Sequence, residues 1–281
     1  MITIGIIGGG FVGKATKLFE NDNVLAKVYD LDPSRCSEGV YSLADLQDCQ
    51  LFFVCVNTPM IQETGQCYTK MVEDCIAQIR DTLHTNNIIV RSTVPVGFCK
   101  AQDVMFMPEF LTEKNWRDDI LNCKEWYVGM DEVDLDTMGL LERLFDASFP
   151  DANVHFLKTE ECELIKLFRN AFLATKVGFC NEFASFCQAK GVDYRTVQKH
   201  AIMDARIGPS HSNVPGHDGL RGYGGHCLPK DVSSLLFQMK AADVVAPILQ
   251  SVHTRNVEMD RPTKDWTKDV GRAVIASSLS L

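Results

Sequence analysis

The sequence has no apolar run that approaches the roughly 20 residues of a membrane-spanning helix. Its first residues lack the basic segment of a signal peptide and lead directly into a glycine-rich turn. Internal repeats and low-complexity segments are also missing. We therefore expect no membrane partner, and we expect residues 2–7 to form a first β-strand.

Positive charge is scarce: 28 lysines and arginines face 37 aspartates and glutamates, for a formal net charge of −9. A surface that binds nucleic acids in general is strongly basic. The sequence therefore argues against a nucleic-acid partner. An anionic ligand would need a local basic pocket.

The eleven cysteines follow no regular spacing, and the sequence contains no Cys-x-x-Cys pair or His/Cys cluster with zinc-ligand spacing. An odd number of scattered thiols is typical of a reducing cytoplasm, where most of them act as small apolar side chains. We therefore expect a cytoplasmic protein without a structural metal.

The chain is long enough for two domains, and its composition of 46% apolar and 23% charged residues is typical of globular proteins. The first half alternates between β-branched apolar runs and helical patterns, which predicts an α/β fold with a Rossmann-type parallel sheet. We predict this NAD-binding domain over residues 1–158 and an all-helical central domain over 159–281. The predicted strands are 2–7, 24–29, 51–56, 88–90, 104–107, 125–128 and 154–157, and the predicted helices between them are 12–19, 70–83 and 134–147.

A dinucleotide-binding fingerprint follows the first strand. Gly8, Gly10 and Gly13 have the spacing Gly-x-Gly-x-x-Gly between a strand and a helix, and Asp30 ends the second strand. In this arrangement the pyrophosphate lies on the helix N-terminus, where we also expect Phe11 and Val12 to approach it. Because Asp30 would accept hydrogen bonds from the ribose hydroxyls and repel a 2′-phosphate, the sequence predicts NAD rather than NADP. Arg35 lies close enough to soften that repulsion.

Polar residues follow three of the predicted strands. Thr58, Thr93 and Glu109 each come where a strand ends. Ligands of parallel sheets bind beyond the carboxyl ends of the strands. These three side chains therefore outline a predicted cleft.

The second half begins with a long helical pattern over residues 160–190, which Gly191 would end. Such a helix is roughly 45 Å long, which suggests a spine between domains or a dimer interface. Lys166 and Asn170 are four residues apart and lie on one face of it. Shorter helices are predicted over 193–202, 230–241 and 246–258.

The segment Gly224-Gly225-His226-Cys227-Leu228-Pro229-Lys230-Asp231 surrounds a thiol with two glycines, a lysine and a carboxylate. If Pro229 begins a helix, Cys227 lies just ahead of the first turn. The helix dipole and the cation of Lys230 would both favour the thiolate there. The segment therefore predicts a nucleophile.

With these motifs the chain resembles the UDP-glucose/GDP-mannose dehydrogenase family, the NAD-dependent nucleotide-sugar 6-dehydrogenases. The motifs that carry the resemblance are Gly8 to Gly13 with Asp30, Thr58-Pro59, residues 92–97, Pro108 to Leu111 with Glu113, Lys166 with Asn170, Asn181-Glu182, Arg206-Ile207-Gly208 and residues 224–231. The resemblance implies oxidation of the sugar C6 alcohol to a carboxylate in two hydride transfers to NAD.

The resemblance also implies roles for single residues. Cys227 would add to the aldehyde as a thiolate, giving a thiohemiacetal and then a thioester. Lys166 and Asn170 would stabilise the developing oxyanion. Asp231 would orient or deprotonate a water in the first oxidation. Glu109, together with Thr93, would act as the base for thioester hydrolysis.

Further contacts follow from the same resemblance. Arg206 would reach the substrate of a neighbouring subunit, which implies a homodimer built on the long helix. The cofactor contacts are expected at Gly8, Gly10, Phe11, Val12, Gly13, Asp30, Arg35, Thr58, Thr93 and Glu113. The substrate contacts are expected at Glu109, Phe110, Leu111, Lys166, Asn170, Arg206, Gly224 and Gly225.

Family members normally carry a third, C-terminal domain that holds the nucleotide, so this chain resembles a short form without it. UDP-glucose is the first substrate guess, with other nucleotide sugars open. A β-hydroxyacid dehydrogenase is the alternative enzyme, since such enzymes share a lysine and an asparagine four residues apart but need no thiol. A non-catalytic dinucleotide-binding or dimerisation module is the third alternative.

Overall fold

The computed structural model describes residues 1–132 and 134–276. Its elements, in chain order, are β1 (Ile2–Ile7), α1 (Phe11–Thr16), β2 (Val24–Tyr29), β3 (Leu51–Val54), β4 (Met60–Ile61), α2 (Lys70–Leu83), β5 (Ile88–Val90), α3 (Phe98–Ala101), β6 (Met105–Phe106), α4 (Trp116–Leu121), β7 (Glu125–Gly129), α5 (Leu135–Ser148), β8 (Asn153–Leu157), α6 (Thr159–Ala189), α7 (Tyr194–Ala201), α8 (Cys227–Ala241), α9 (Pro247–Arg255) and β9 (Val274–Ile275).

A seven-stranded sheet has the order β2-β1-β3-β5-β6-β7-β8. All its strand pairs are parallel except β6 with β7, which is antiparallel. The chain adds β2 on one side of β1 and then β3 on the other side, so the direction in which strands are added changes at β1. This is the pattern of a doubly wound fold, which binds ligands at its strand ends. The predicted α/β class with a Rossmann-type sheet is therefore confirmed.

Both faces of this sheet are buried. Successive residues of β3 belong to two different clusters: Leu51 and Phe53 pack into one, Phe52 and Val54 into the other. Because side chains alternate between the faces of a strand, a continuous apolar run such as this one fits a sheet covered on both sides. The four residues are at most 2% exposed.

The chain forms two compact units. Among the described residues, the first unit contains those from 1–58 and 69–166, and the second contains 59–68 and 167–276. Helix α6 begins in the first unit and continues in the second. The predicted boundary between residues 158 and 159 stays a prediction.

The core of the second unit lies among three helices. Ala174 of α6, Val232 of α8 and Leu249 of α9 pack together with Tyr223. This unit also contains a parallel pair of two-residue strands, β4 and β9. The sequence did not predict this pair, because two residues carry no alternating pattern and the strands are more than 200 positions apart.

Most predicted elements are present. Strands β1, β2 and β5 and helix α2 have the predicted bounds, and α6 ends before Gly191, whose φ of +68° suits a helix stop. Helix α8 differs, because it begins at Cys227 rather than at Pro229. A proline is tolerated within the first turn, where the backbone N–H has no partner in the helix. Cys227 is therefore the first helical residue instead of lying ahead of the helix.

Among the described residues, no helix is long and apolar enough to cross a membrane.

Candidate active site

The turn after β1 is shaped by its glycines. A Cβ at Gly13 would lie 1.9 Å from the carbonyl oxygen of Gly8, so only glycine fits where α1 passes the turn. Gly8 itself has a φ of +103°. A Cβ at Gly10, in contrast, meets nothing within 4 Å. The turn is therefore closely packed on the protein side and open at Gly10, which fits the close approach of a pyrophosphate.

Asp30 lies beside this turn. One oxygen of its carboxylate accepts a hydrogen bond from the backbone N–H of Gly9 (2.6 Å), and the other accepts one from the N–H of Asp32 (2.8 Å). A carboxylate oxygen accepts more than one hydrogen bond, so Asp30 can still accept from two ribose hydroxyls. Arg35 packs its Cβ against Gly9 and pairs with Asp32 at 3.2 Å. Both charged residues therefore lie where a nucleotide ribose would be recognised.

Two alanine variants separate the two roles of the glycine turn, which are cofactor binding at Gly10 and close backbone packing at Gly13. We expect Gly10→Ala to keep the free energy of unfolding and to weaken NAD binding at least about tenfold, because its methyl group enters the space left for the cofactor. We expect Gly13→Ala to lower the stability by more than about 2 kcal/mol, because the methyl group overlaps a backbone oxygen. Chemical denaturation and NAD titration by calorimetry measure both. Equal stability losses in the two variants would contradict this assignment.

Within the same unit, Glu109 and Lys166 form a buried pair. The Lys166 ammonium donates to Glu109 Oε1 (2.7 Å) and to the Glu109 backbone carbonyl (2.6 Å), and the two side chains are 3% and 5% exposed. Glu109 Oε2 accepts from the N–H of Leu111 (2.8 Å). Lys166 also lies 5.6 Å from the ring centre of Phe110. The ammonium therefore has a fixed position and one N–H left for a further acceptor.

The other predicted residues of the first unit differ in exposure. Thr58 is buried and Thr93 is half-buried. Ser92, next to Thr93, donates to the carbonyl of Val56 (2.6 Å) and so ties the ends of two neighbouring strands. Glu113 is exposed. The strand ends thus hold Thr58, Thr93 and Glu109 as the sequence places them, and Glu113 lies at the surface.

Asp231 is held from two sides in the second unit. Its Oδ2 accepts from the Asn170 side-chain amide (2.5 Å), and its Oδ1 accepts from the Lys230 ammonium (2.6 Å). Asp231 and Asn170 are 2% and 8% exposed. Asn170 and Asp231, which are 61 positions apart in the sequence, are therefore in direct contact. Asn170 keeps a second amide N–H for a further acceptor.

Cys227 begins α8 and is half-buried. No side chain caps this helix, because the N-cap position is taken by His226, whose side chain makes no cap hydrogen bond. His226 instead pairs with Asp269 (Nε2–Oδ2 2.5 Å). An uncapped helix N-terminus favours a negative charge at its first residue. A thiolate at Cys227 would therefore be favoured by this position.

Lys230 adds a cation to this position. Burial opposes its charge, but the Asp231 carboxylate and the sulfurs of Cys227 and Cys67 more than offset that effect and raise the pKa of Lys230 above its usual value. Lys230 therefore stays an ammonium near Cys227 at neutral pH. A neighbouring cation lowers the free energy of a thiolate.

Residues that the sequence did not indicate hold the loop before Cys227. A Cβ at Gly224 would lie 2.4 Å from Cζ of Arg261, whose guanidinium is 4% exposed and pairs with Asp218 and Asp265. The Asn256 side chain accepts from the N–H of Tyr223 (2.8 Å) and donates to its carbonyl (2.9 Å). Apart from the Arg261–Asp265 pair, these contacts join positions more than 30 residues apart, so no local pattern predicts them.

The remaining predicted residues lie at the surface. Arg206 has an 89% exposed side chain that pairs with Asp204 (Nη2–Oδ2 2.5 Å). Gly225 is exposed and has a φ of +71°. Among the described residues, no group of three histidine, cysteine or carboxylate side chains is placed to hold a metal ion.

The geometry thus gives two small groups of polar residues. Glu109 and Lys166 belong to the first unit, and Asn170, Asp231 and Cys227 belong to the second. Lys166 and Asn170 lie on successive turns of the continuous helix α6.

Two parts of the chain match two domains of the same protein family. Residues 40–147 match the NAD binding domain of the UDP-glucose/GDP-mannose dehydrogenase family, and residues 160–258 match the central domain of the same family. A UDP-glucose 6-dehydrogenase from Rickettsia typhi is 29% identical over 291 aligned positions, which include 90% of this chain. The chain spans 64% of the length of that relative.

Two solved structures are similar in fold. A UDP-glucose dehydrogenase from Pyrobaculum islandicum superposes with a TM-score of 0.78 at 23% identity, over 91% of this chain and 68% of the other. A 3-hydroxyisobutyrate dehydrogenase from Mycobacterium tuberculosis superposes with a TM-score of 0.68 at 14% identity, over 92% of this chain and 93% of the other. Identities this low show a shared fold only.

Proposed function

Because the chain belongs to the UDP-glucose/GDP-mannose dehydrogenase family, we propose that it oxidises the C6 alcohol of a nucleotide sugar to a carboxylate with NAD. The observation that carries this proposal is Cys227 at the first position of an uncapped helix, beside the ammonium of Lys230. A thiolate is what distinguishes a four-electron oxidation from the two-electron oxidation of an alcohol.

The glycine turn and Asp30 would hold NAD, which would supply the hydride acceptor for both oxidations. In the first oxidation the alcohol must lose its proton. Asp231, fixed by Asn170 and Lys230, is the carboxylate that accepts it, directly or through a water. The two hydrogen bonds fix the orientation of the carboxylate, so its remaining lone pairs have a defined direction.

The second oxidation needs a nucleophile, because an aldehyde carbon gives up a hydride readily only after it has become tetrahedral. The Cys227 thiolate adds to that carbon and forms a thiohemiacetal, and oxidation leaves a thioester. The oxygen carries negative charge in the tetrahedral state. The remaining N–H groups of Lys166 and Asn170 are the donors that we assign to it.

Hydrolysis of the thioester ends the reaction. Glu109 accepts one hydrogen bond on each carboxylate oxygen and has further lone pairs for a water. We assign it the role of general base, with Thr93 as a second contact for that water. The thiolate of Cys227 is then the leaving group, and the helix N-terminus that favours it also favours its departure.

The substrate class is proposed from the relatives. The Rickettsia typhi relative is a UDP-glucose 6-dehydrogenase, so UDP-glucose is the first candidate. We assign Phe110, Leu111, Arg206, Gly224 and Gly225 to substrate binding. The exposed guanidinium of Arg206 fits contact with the substrate of a second subunit, and the predicted homodimer and cytoplasmic location remain part of this proposal.

The stoichiometry of NADH tests the proposed reaction. We expect two NADH for each sugar oxidised when purified protein is incubated with limiting UDP-glucose, because the alcohol is carried to the carboxylate without release of the aldehyde. A panel with GDP-mannose and UDP-N-acetylhexosamines identifies the preferred sugar by its kcat/KM. One NADH per sugar at completion would contradict the proposal.

A two-electron hydroxyacid dehydrogenase is the second candidate, because such enzymes also use a lysine and an asparagine four residues apart, as Lys166 and Asn170 are on α6. Such chemistry gives no role to the thiol of Cys227. Small 3-hydroxyacids in the same assay separate the candidates, since their turnover with one NADH each would favour the second.

A further inference from the structure

A cavity of about 450 Å³ lies between α7 and the loop over residues 213–217, within the second unit. A volume of this size is typical of pockets that bind small molecules. The Tyr194 hydroxyl donates to the carbonyl of Ser212 (2.8 Å), a residue that is 1% exposed. The Gln198 side-chain amide donates to Oγ of Ser212 (2.7 Å) and to Oδ1 of Asn213 (3.1 Å). These hydrogen bonds fix the loop against the helix, so the cavity has defined walls.

Two cations line this cavity. Arg195 and Lys199 are four residues apart on α7, so they lie one turn apart on the same face of the helix. Both residues are exposed, and among the residues that the structure describes neither side chain makes a hydrogen bond or an ion pair. The guanidinium and the ammonium therefore keep all their N–H groups for a ligand.

The neighbouring carboxylates are engaged elsewhere. Asp193 is the N-cap of α7 and accepts from the backbone N–H groups of Arg195 (3.2 Å) and Thr196 (3.2 Å). Asp218 follows the loop and pairs with Arg261 (Oδ2–Nη2 2.6 Å). The described residues that line the cavity include no aspartate or glutamate. The positive charge of the two cations is therefore not neutralised within the cavity, which favours an anionic ligand.

We propose that this cavity binds a phosphorylated small molecule, with its phosphate groups on Arg195 and Lys199. An arginine presents pairs of N–H groups in one plane that match two phosphate oxygens, and a lysine adds a compact charge. Asn213 keeps both N–H groups of its amide, since its hydrogen bond with Gln198 uses the oxygen, and His217 adds a ring nitrogen on the same loop. These groups are further contacts for the ligand.

Two sources of ligand share this chemistry. One is the diphosphate of a nucleotide sugar, and the other is a free phosphorylated metabolite that regulates the protein. Only the first source rests on the proposed function. Inorganic pyrophosphate carries the shared chemistry without the nucleotide or the sugar, so it is the probe for the cavity itself.

Titration calorimetry of the full chain with inorganic pyrophosphate, in the absence of NAD and sugar, tests the proposal. We expect wild type to bind pyrophosphate, and we expect Lys199→Glu and Arg195→Glu each to weaken binding at least about tenfold, because a charge-assisted hydrogen bond is replaced by repulsion. Lys240→Glu is the matched control, since it makes the same change of net charge at an exposed lysine near the end of α8, outside the cavity. It should bind as wild type does. Circular dichroism verifies that the helices are kept in all three variants.

Absence of pyrophosphate binding in wild type, or equal weakening in Lys199→Glu and Lys240→Glu, would overturn the proposal. The KM for UDP-glucose separates the two sources of a ligand that does bind. A higher KM at unchanged kcat in Lys199→Glu identifies the diphosphate of the substrate, whereas an unchanged KM identifies a free phosphorylated ligand. Because the titration needs no turnover, a failed dehydrogenase assay leaves its result intact, and a failed titration leaves the NADH stoichiometry intact.

Discussion

Replacing Cys227 by serine should abolish complete oxidation of the sugar while it spares the protein fold. We expect kcat for the four-electron reaction to fall at least about a thousandfold, which is about 4 kcal/mol of transition-state stabilisation. The reason is the acidity of the nucleophile: the helix N-terminus and Lys230 favour the ionised form of a thiol, whereas a serine hydroxyl ionises far less readily. Stopped-flow and steady-state NADH measurements give the rate.

The residual chemistry of the serine variant is informative. The first oxidation needs a base and no thiol, so an aldehyde should form slowly and should be trapped by a hydrazine reagent with one NADH per sugar. Cys75→Ser is the control, because Cys75 is a half-buried cysteine of α2 in the first unit and should give wild-type rates. Two NADH per sugar at the wild-type rate in Cys227→Ser would exclude the covalent mechanism.

The sequence predicted those elements whose pattern is local. Helix α2 has the predicted bounds because its buried residues Val72, Ile76 and Ile79 recur at helical spacing. Strand β3 was recognisable as a continuous apolar run, although it ends two residues earlier than predicted. The start of α8 was misplaced, because Pro229 is a common first residue of helices but is also compatible with the third position.

The residues of the candidate site were also predictable where a motif identifies them, but the contacts between them were not. The family motifs named Glu109, Lys166, Asn170 and Asp231, but their pairing as Lys166 with Glu109 and Asn170 with Asp231 depends on contacts across 57 and 61 positions. No local pattern contains such information. The same reason applies to Arg261 against Gly224, where neither residue has a neighbour in the sequence that indicates the contact.

Helix α6 presents an apolar surface that the proposed homodimer would cover. Five phenylalanines of the second unit are exposed along it, and at 100° per residue they fall within an arc of about 60° around the helix axis. They are Phe168, Phe172, Phe179, Phe183 and Phe186, with exposed fractions of 71%, 61%, 65%, 39% and 55%. An exposed contiguous patch of this kind is typical of an interface between subunits.

Replacing Phe172 and Phe179 by glutamate should convert the proposed dimer into a monomer. In a twofold-symmetric dimer each substitution occurs twice, so four buried phenylalanines are lost, and each contributes about 1.5–3 kcal/mol when buried. We therefore expect the dissociation constant to rise by at least about four orders of magnitude. Sedimentation velocity over a range of concentrations measures it, with circular dichroism to confirm that the helices remain.

The matched control is Leu135→Glu, which adds a charge at a 74% exposed apolar residue at the start of α5 in the first unit. This variant should sediment as the wild type does, because Leu135 lies on α5 and is not one of the exposed phenylalanines of α6. A wild-type protein that is monomeric at all concentrations would refute the dimer. If the double variant is monomeric and has also lost its turnover, the exposed Arg206 is connected to a site in the neighbouring subunit. If the monomer keeps full turnover, each chain works alone.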